Sequence, residues 1–368
     1  MNIKTGLVGL PNVGKSTLFN TLTNAGIPAE NYPFCTIDPH LAIANVTDNR
    51  LEILKSMYSS EKIINSYIEF VDIAGLVAGA SKGEGLGNKF LSNIREVALI
   101  MHILRCFDDH NVINTQATVN PIRDFEIIQL ELAYKDFETA EQRISKINTL
   151  LKKSLSTKEI EDYRKELELL KEFSKNIENA NFKEAISISK EELLNHLNLL
   201  LSKPYFIVAN VGEFEIDNPW SNLHIKELEK RFDKKDIIPI SAKFELEISS
   251  LNDPETISEY MKEYGLKERG IDTIIKNSYA KLGLISFFTC GPKEIHVWTI
   301  PAGTNIKKAS GEIHSDLERG FISATIVSYN DLIECGSELN VRNSGKLKTV
   351  GNTYIVQDGD IVNINFNV

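Results

Sequence analysis

The stretch of the sequence richest in chemical groups with a defined spacing is G-L-P-N-V-G-K-S-T, residues 9–17. It has the form G-x-x-x-x-G-K-[ST] between a short apolar run and a helical run, so it predicts a strand, a phosphate-binding loop and a helix. Backbone N–H groups of such a loop and the positive end of its helix attract phosphate oxygens. We expect Lys15 to reach the β- and γ-phosphates, Ser16 to ligate Mg²⁺, and Thr17 to support the α-phosphate. The residues predicted to bind the phosphates are Val13, Gly14, Lys15, Ser16 and Thr17.

Two further loops carry groups for the same phosphate site. In N-Y-P-F-C-T-I-D, residues 31–38, Thr36 is placed to sense the γ-phosphate and Mg²⁺ in a mobile first switch, although an ordinary surface-loop threonine is the alternative. In V-D-I-A-G-L, residues 71–76, Asp72 ends a predicted strand and is placed to hold magnesium through water. We expect Gly75 to offer its backbone N–H to the γ-phosphate, and the glycine-rich run that follows predicts a mobile second switch.

The elements that position these loops are predicted from apolar patterns. From residue 122 to residue 203 there is no glycine or proline, and apolar side chains recur every three or four positions. This predicts two long antiparallel helices joined near residues 154–158. Ser189-x-x-Glu192 predicts the cap of a third helix. The strands predicted around the site are Ile3–Leu10, Tyr67–Ile73, Tyr205–Ala209 and Ile237–Ile240.

The last part of the chain, from Leu282 onward, is richer in strand patterns and turns. A short helix is predicted near residues 315–319. The alternation of side chains in D-I-V-N-I-N-F, residues 360–366, predicts a sheet with one packed face.

Composition excludes several classes of protein. At 368 residues the chain is long enough for two or three domains with cores of their own. A net charge of −10 argues against a protein that coats nucleic acid through positive charge, and we expect no DNA partner. No apolar run approaches the ~20 residues that cross a bilayer, and no long apolar signal region precedes the first strand. The four cysteines have neither metal-site nor disulfide-framework spacing. We therefore expect a cytoplasmic protein with no membrane partner.

Three strings taken together resemble a known family. GLPNVGKST, NYPFCTID and DIAGLVAGASKGEGLGN are similar to the YchF/Obg-like ATPase family, a branch of the Obg-related P-loop proteins in the translation-factor class. The resemblance covers nearly the whole chain, because the helical insertion and the C-terminal segment also match in order. It implies an α/β fold with a P-loop NTPase domain at residues 1–123 and 204–281. An inserted antiparallel helical (coiled-coil) arm would occupy 124–203, and a C-terminal β-grasp TGS domain would occupy 282–368.

The resemblance also bears on catalysis. Where many related switches have a glutamine that orients the attacking water, this chain has Leu76, and the family as a rule has a hydrophobic residue there. A leucine makes no hydrogen bond, so Leu76 cannot polarise water. The family pattern implies that Asn12 belongs to a K⁺ site that offsets charge developing between the β- and γ-phosphates, while a role in shaping the turn is the alternative. The implied catalytic residues are Lys15, Asn12, Thr36 and Gly75.

The base-binding loop departs from the guanine-specific pattern. Residues 210–213 read N-V-G-E, where guanine-specific relatives have Asn-Lys-x-Asp. Glu213 is longer by one methylene than the aspartate that accepts hydrogen bonds from guanine, so this motif does not select guanine securely. The resemblance therefore implies a preference for ATP.

The residues implied to contact the adenine come from three loops. Asn210 and the backbone of Val211 would face its edge, while Phe107 and Val211 would flank its ring. For Asn210 a strand-end turn is the alternative, and for Phe107 it is core packing. The last base-proximal loop would contribute Ser241 and Ala242.

These expectations combine into one predicted function. We expect the protein to hydrolyse ATP, and GTP more weakly, with Mg²⁺ and stimulation by K⁺, and to act as a slow, monomeric switch on the ribosome or ribosome-associated RNA. Mg²⁺ would be held by Ser16, Thr36 and Asp72. An Obg-type GTPase and an ATP-sensing scaffold with negligible turnover are the alternatives.

Overall fold

The computed structural model describes residues 4–24, 40–73, 94–109, 118–251 and 253–367. Within these ranges the chain forms two six-stranded sheets with helices packed on them. The strands are β1 (Lys4–Val8), β2 (Leu41–Asn45), β3 (Lys62–Ile64), β4 (Tyr67–Asp72), β5 (Leu99–Arg105), β6 (Tyr205–Asn210), β7 (Ile237–Ile240), β8 (Leu284–Cys290), β9 (Glu294–Pro301), β10 (Phe321–Ser328), β11 (Lys348–Val350) and β12 (Asp360–Phe366). The α-helices are α1 (Lys15–Asn24), α2 (Arg50–Tyr58), α3 (Pro121–Leu150), α4 (Thr157–Glu178), α5 (Phe182–Ser189), α6 (Leu223–Glu229), α7 (Ala242–Ser249), α8 (Pro254–Glu263), α9 (Gly270–Lys281), α10 (Ile306–Ile313), α11 (Ser315–Arg319), α12 (Tyr329–Cys335) and α13 (Glu338–Asn343).

The first sheet has the order β2-β4-β1-β5-β6-β7 and is parallel except for its edge strand β2. The inner strands β1 and β5 are buried along almost their whole length, as expected for a parallel sheet covered on both faces. Because parallel strands share a direction, the carboxyl ends of β1, β4, β5 and β6 meet at one edge. That edge carries the glycine-rich loop after β1, Asp72 at the end of β4, and Asn210 at the end of β6.

The glycine-free stretch folds into the two predicted long helices, α3 and α4. The Arg143 guanidinium on α3 donates to both carboxylate oxygens of Glu166 on α4, at 2.7 and 2.8 Å. Ser174 meets Glu141 at 3.0 Å, so later positions on α4 pair with earlier positions on α3 and the helices run antiparallel. Although α3 has 30 residues, no helix in the described ranges is long and apolar enough to span a membrane.

The return of the arm to the first sheet is fixed by Asp136 on α3. Its buried carboxylate accepts hydrogen bonds from the backbone N–H groups of Leu200 and Leu201, at 2.8 Å each. Burial raises the pKa of Asp136 to about 6, while these two hydrogen bonds act in the opposite direction.

The predicted cap at Ser189 is wrong. Ser189 is the last residue of α5, and its hydroxyl donates to the carbonyl oxygen of Ile186 at 2.8 Å. The following residues, Glu192–Leu197, form a 3₁₀ helix that begins after Glu191. Serine also occurs in last turns, where its hydroxyl bonds back to a carbonyl, so the four-residue pattern alone misplaces the helix start.

The second sheet has the order β11-β10-β12-β8-β9-β3 and is covered on both faces. Val327 and Ile361 belong to an apolar cluster on one side, and Ala324 and Val362 belong to another cluster. The prediction of one packed face is therefore wrong. Helix α2, from the first half of the chain, completes the cover of one side together with α12 and α13, while α10 covers the other.

A segment from the first half of the chain is built into the second sheet. Strand β3 pairs in parallel with β9, and the Ser60 hydroxyl donates to the Gly291 carbonyl oxygen at 2.6 Å. The Glu61 N–H donates to the Pro292 carbonyl oxygen at 3.0 Å. Residues 50–64 thus connect the two sheets, although they lie within the range 1–123 predicted for the first domain.

Candidate functional site

The glycine-rich loop joins β1 to α1 in a conformation that requires its glycines. Asn12 has a φ of 63° and Gly14 a φ of 94°, both in the left-handed region. A Cβ at Gly14 would lie 2.2 Å from Nδ2 of Asn210, and a Cβ at Gly9 would lie 2.8 Å from the carbonyl oxygen of Ile103. The loop therefore packs directly against the ends of neighbouring strands, and side chains at these two positions would displace it.

A cation, a hydroxyl group and a carboxylate meet where α1 begins. The Nζ of Lys15 forms an ion pair with Oδ1 of Asp72 at the end of β4, and the two side chains are 10% and 16% exposed. Ser16 is exposed in the first turn of α1, where backbone N–H groups have no intrahelical partner and favour an anion. The structure thus brings together the described residues predicted for phosphate and Mg²⁺.

Asn210 fastens the glycine-rich loop to the start of α7. Its Nδ2 donates to the carbonyl oxygen of Val13 at 2.8 Å, and its Oδ1 accepts from the N–H of Ala242 at 2.9 Å. Asn210 is 4% exposed, so both ends of the amide are used inside the protein. The N–H of Val211 is likewise engaged, because it donates to the carbonyl oxygen of Ile240 at 2.8 Å. Asn210 therefore positions the two loops that flank the site.

The turn after β6 is held by two carboxylates. Glu213 accepts a hydrogen bond from Nζ of Lys243 at 2.6 Å, and the Glu213 side chain is 14% exposed. Glu215 accepts from the N–H of Gly212 at 3.0 Å and from Nδ2 of Asn222 at 2.8 Å. The carboxylate at the predicted base-reading position is therefore neutralised by a lysine at the start of α7.

Arg105 is a residue of the site that the sequence patterns did not predict. It ends β5, is 5% exposed, and donates to the carbonyl oxygens of Phe107 and Asp109 at 3.1 Å each. Its guanidinium also lies over the Phe107 ring, 4.5 Å from the ring centroid. The available signal was a charged residue at the end of a largely apolar strand, because a buried charge needs such partners.

These loops enclose a cavity of about 750 Å³, within the range of ligand-binding clefts, roughly 300–1,000 Å³. Val13 is buried beneath the glycine-rich loop, and Lys15 and Ser16 lie at the adjoining start of α1. Phe214 and Leu246, which the sequence analysis did not single out, also line the cavity. The predicted site residues that line it are Asn12, Gly14, Thr17, Phe107, Asn210, Val211, Glu213, Ser241 and Ala242.

The side chains present fit a Mg²⁺ ion that is bound together with a nucleotide. The Ser16 hydroxyl and the Asp72 carboxylate are the hard oxygen ligands that Mg²⁺ prefers. In the part of the chain that the structure describes, no group of three or more His, Cys, Asp or Glu side chains could hold a metal ion by itself. Three predicted residues of the switch loops, Thr36, Gly75 and Leu76, lie outside the described residues.

The fold and the site together define a P-loop nucleotide-binding protein of the α/β class. Comparisons with known proteins make this specific: the family model MMR_HSR1, "50S ribosome-binding GTPase", matches residues 4–131. The family model YchF-GTPase_C, "Protein of unknown function (DUF933)", matches residues 284–367. The chain is 42% identical to the Ribosome-binding ATPase YchF of Bacillus subtilis (strain 168) and to that of Escherichia coli O157:H7, over the full length of all three chains. It therefore belongs to the YchF family.

A solved structure supports the same assignment. The Schizosaccharomyces pombe YchF GTPase superimposes with a TM-score of 0.86 at 34% identity, covering 99% of this chain and 98% of the other. The predicted family and the predicted fold class, a P-loop domain followed by a separate C-terminal domain, are thus confirmed.

Proposed function

We propose that this protein is a Mg²⁺-dependent ATPase that acts as a conformational switch on the ribosome. The observation that carries the proposal is the cavity of about 750 Å³ between the glycine-rich loop and the turn after β6. Gly14 and Thr17 of the glycine-rich loop line it, Lys15 and Ser16 lie beside them at the start of α1, and the other lining residues include apolar side chains and a carboxylate paired with a lysine. We include the ribosome as the partner because relatives of this chain carry the name Ribosome-binding ATPase YchF.

At the phosphate end, the ion pair of Lys15 with Asp72 opens so that both groups reach the nucleotide. The ammonium group would then reach the β- and γ-phosphates, and the carboxylate would help to hold Mg²⁺. When bound, Mg²⁺ neutralises charge on these phosphate oxygens, and Ser16 and Asp72 are the described residues that hold it. Asp72 lies just before the predicted second switch in the sequence. We therefore propose that this exchange of partners makes the second switch respond to the presence of the γ-phosphate.

At the base end, the pairing of Glu213 with Lys243 supports a preference for ATP. Guanine recognition by a P-loop protein uses a carboxylate that accepts hydrogen bonds from the base, and here the carboxylate accepts from Nζ of Lys243. Adenine needs no such acceptor, because its edge presents an amino donor and a ring acceptor that backbone groups can meet. ATP therefore binds at least as tightly as GTP.

Catalysis proceeds without a glutamine, since Leu76 stands at that position. We assign Asn12, whose backbone has a φ of 63° and whose side chain lines the cavity, to a K⁺ site beside the phosphates. Thr36 and Gly75 complete the set by contacting Mg²⁺ and the γ-phosphate. The turnover of the isolated protein is slow, as befits a switch.

Titration calorimetry with Mg²⁺ and each nucleotide tests the choice of base. We expect an ATP affinity equal to or higher than the GTP affinity, and loss of both in Lys15→Ala. A GTP affinity tenfold higher, equivalent to ~1.4 kcal/mol, would overturn the proposal in favour of an Obg-type GTPase.

Single-turnover hydrolysis of ATP in matched K⁺ and Na⁺ buffers tests the catalytic part. We expect faster hydrolysis in K⁺, and loss of the difference in Asn12→Ala with a smaller change in ATP affinity. Equal hydrolysis rates of the wild-type protein in K⁺ and in Na⁺ would contradict the proposed K⁺ site. Tight binding of ATP without hydrolysis in either buffer would instead support an ATP-sensing scaffold.

The remaining parts of the proposal concern the whole chain. We assign residues 1–123 and 204–281 to the nucleotide domain, 124–203 to the helical arm, and 282–368 to a TGS domain, in a cytoplasmic monomer. Sedimentation with purified ribosomes in ATP and in ADP, with Lys15→Ala as the control, tests the partner. Equal recovery of wild type and control in both nucleotides would contradict a nucleotide-controlled interaction.

A further inference from the structure

Phe214 is an apolar side chain with unusual exposure for its position. Its side chain is 88% exposed, although it lies on the lining of the cavity that we assign to the nucleotide. A phenylalanine in water forgoes the stabilisation that burial of its ring would provide, so an exposed ring at the rim of a cavity suggests a ligand that covers it.

The exposure of Phe214 does not come from a loose loop. It is the middle residue of the 3₁₀ turn Glu213–Glu215, and both of its neighbours are tied down. Glu213 pairs with Lys243 at 2.6 Å, while Glu215 accepts from Nδ2 of Asn222 at 2.8 Å. The turn is thus fixed on either side of the ring, and Phe214 is held at the rim.

The surroundings of Phe214 match a planar, uncharged group better than a phosphate. Phe107 lines the same cavity. The guanidinium of Arg105 packs over the Phe107 ring, 4.5 Å from its centroid. Leu246, 37% exposed, adds apolar surface from α7. The cation suited to phosphate, Lys15, lies at the start of α1 and does not line the cavity. The base of a nucleotide is the group with this chemistry.

We propose that Phe214 stacks on the base of the bound nucleotide, in the role that the sequence analysis gave to Val211, which is 2% exposed, and thereby contributes to affinity for nucleotides in general. This inference rests on the proposed function, because it requires the cavity to hold a nucleotide. Every base has an aromatic face, so stacking is tolerant of base identity. Phe214 therefore sets how tightly ATP and GTP bind, while the ratio between them is set by the polar groups of the site.

The test compares Phe214→Ala with Leu223→Ala by calorimetry with ATP and with GTP in Mg²⁺. Leu223 is a matched control, because it is also apolar, 75% exposed and close in sequence, and it does not line the cavity. We expect Phe214→Ala to weaken both nucleotides by about tenfold, or ~1.4 kcal/mol, and Leu223→Ala to change neither. Phe214→Trp, which keeps an aromatic face, should retain wild-type affinity, and the thermal midpoint of all variants without nucleotide should equal that of wild type.

The outcomes separate this inference from the proposed function. If wild type binds neither ATP nor GTP, the proposed function fails and this inference fails with it. If wild type binds ATP and Phe214→Ala binds equally well, the stacking role alone is overturned. A loss confined to one of the two nucleotides, or a loss not restored by Phe214→Trp, would also overturn it.

Discussion

The nucleotide cavity and the contact between residues 50–64 and the second sheet both join distant parts of the chain, but by different chemistry. At the cavity, the neutral amide of Asn210 binds the backbone of the glycine-rich loop and of α7, at 2.8 and 2.9 Å. At the contact, the guanidinium of Arg50 donates to Asp48 and to Asp358, each with a shortest distance of 2.7 Å. It also lies over the Phe288 ring, 4.9 Å from the centroid.

The difference follows from what each region must do. An amide supplies one donor group and one acceptor, so it fixes two loops without adding charge next to the phosphates. In the proposed function, the ion pair of Lys15 with Asp72 then provides the response to the ligand. The residues of the contact around Arg50 do not line that cavity, and an ion pair with stacking can hold the contact together, although it makes the contact sensitive to salt. We call the contacts of Asn210 the neutral joint and the contacts of Arg50 the charged joint. The two joints should therefore lose stability under different conditions.

The largest effect is expected from breaking the neutral joint. Asn210→Ala leaves the carbonyl oxygen of Val13 and the N–H of Ala242 buried without their partner. Because each such group costs about 1–3 kcal/mol, we expect the free energy of unfolding to fall by about 3 kcal/mol. ATP should also lose most of its stabilising effect, since the glycine-rich loop is no longer fixed. Urea unfolding with and without Mg²⁺ and ATP measures both quantities.

Asn305→Ala is the matched control for that variant. Asn305 caps α10 in the C-terminal half, where its Oδ1 accepts from the N–H of Lys308 at 3.0 Å. Its loss should cost about 1 kcal/mol and leave the effect of ATP unchanged. A loss below about 1 kcal/mol in Asn210→Ala would contradict the account of the neutral joint.

A second prediction concerns acid, because the first sheet also keeps a histidine neutral. His102 on β5 is 3% exposed, its Nδ1 has no hydrogen-bond partner among the described residues, and it packs against Phe125 and Tyr205. Burial lowers the pKa of His102 from 6.5 to about 3. The unfolded chain therefore binds the proton first, and stability present above pH 6.5 is lost as the pH falls toward 3.

For this group alone, the free energy of unfolding should fall by about 2 kcal/mol between pH 7 and pH 5. His102→Phe, which keeps an aromatic ring at the position, should remove that part of the pH dependence, whatever its own stability at pH 7. His314→Asn is the control, because the His314 side chain is 65% exposed. A pH dependence that persists unchanged in His102→Phe would show that another group causes it.

The parts of the molecule that the sequence predicted are those specified by local patterns. The strand at Ile237–Ile240 and the helix at residues 315–319 have the predicted bounds. Predicted residues of the glycine-rich loop also lie together at the cavity, because such a loop between a strand and a helix has few possible geometries. The string S-T-K-E, residues 156–159, is a local pattern of the same kind, because it forms the capping box of Ser156 and Glu159 at the start of α4.

The parts that were not predicted depend on partners far apart in the sequence. Strand β3 has three residues, too few for a periodic pattern, and its partner β9 begins more than two hundred positions later. The pairing of Glu213 with Lys243 joins the turn after β6 to α7, yet each residue by itself looks like an ordinary surface charge. Such pairs follow from the topology of the sheets and not from spacing along the chain.

The smallest effect is expected from breaking the charged joint. Arg50 is 24% exposed and its partners Asp48 and Asp358 are 13% and 52% exposed, so solvent screens part of the interaction. We expect Arg50→Ala to lower the free energy of unfolding by about 1–2 kcal/mol, from the better-buried pair and the contact with Phe288. Urea unfolding at low salt and at about 1 M NaCl measures it, and the loss should shrink in salt, because ions screen charges over about 3 Å at that strength.

Two variants show whether charge or packing holds this joint. Lys62→Ala removes an exposed ion pair with Glu294 at the same contact, where the two side chains are 62% and 42% exposed, and should cost less than about 0.5 kcal/mol. Arg50→Met keeps the apolar stem over the Phe288 ring and removes the charge. If the charge is what fastens the joint, Arg50→Met should lose most of what Arg50→Ala loses and should show the same salt response. Wild-type stability in Arg50→Met at low salt would mean that packing of the stem fastens the second sheet, and both joints would then be neutral ones.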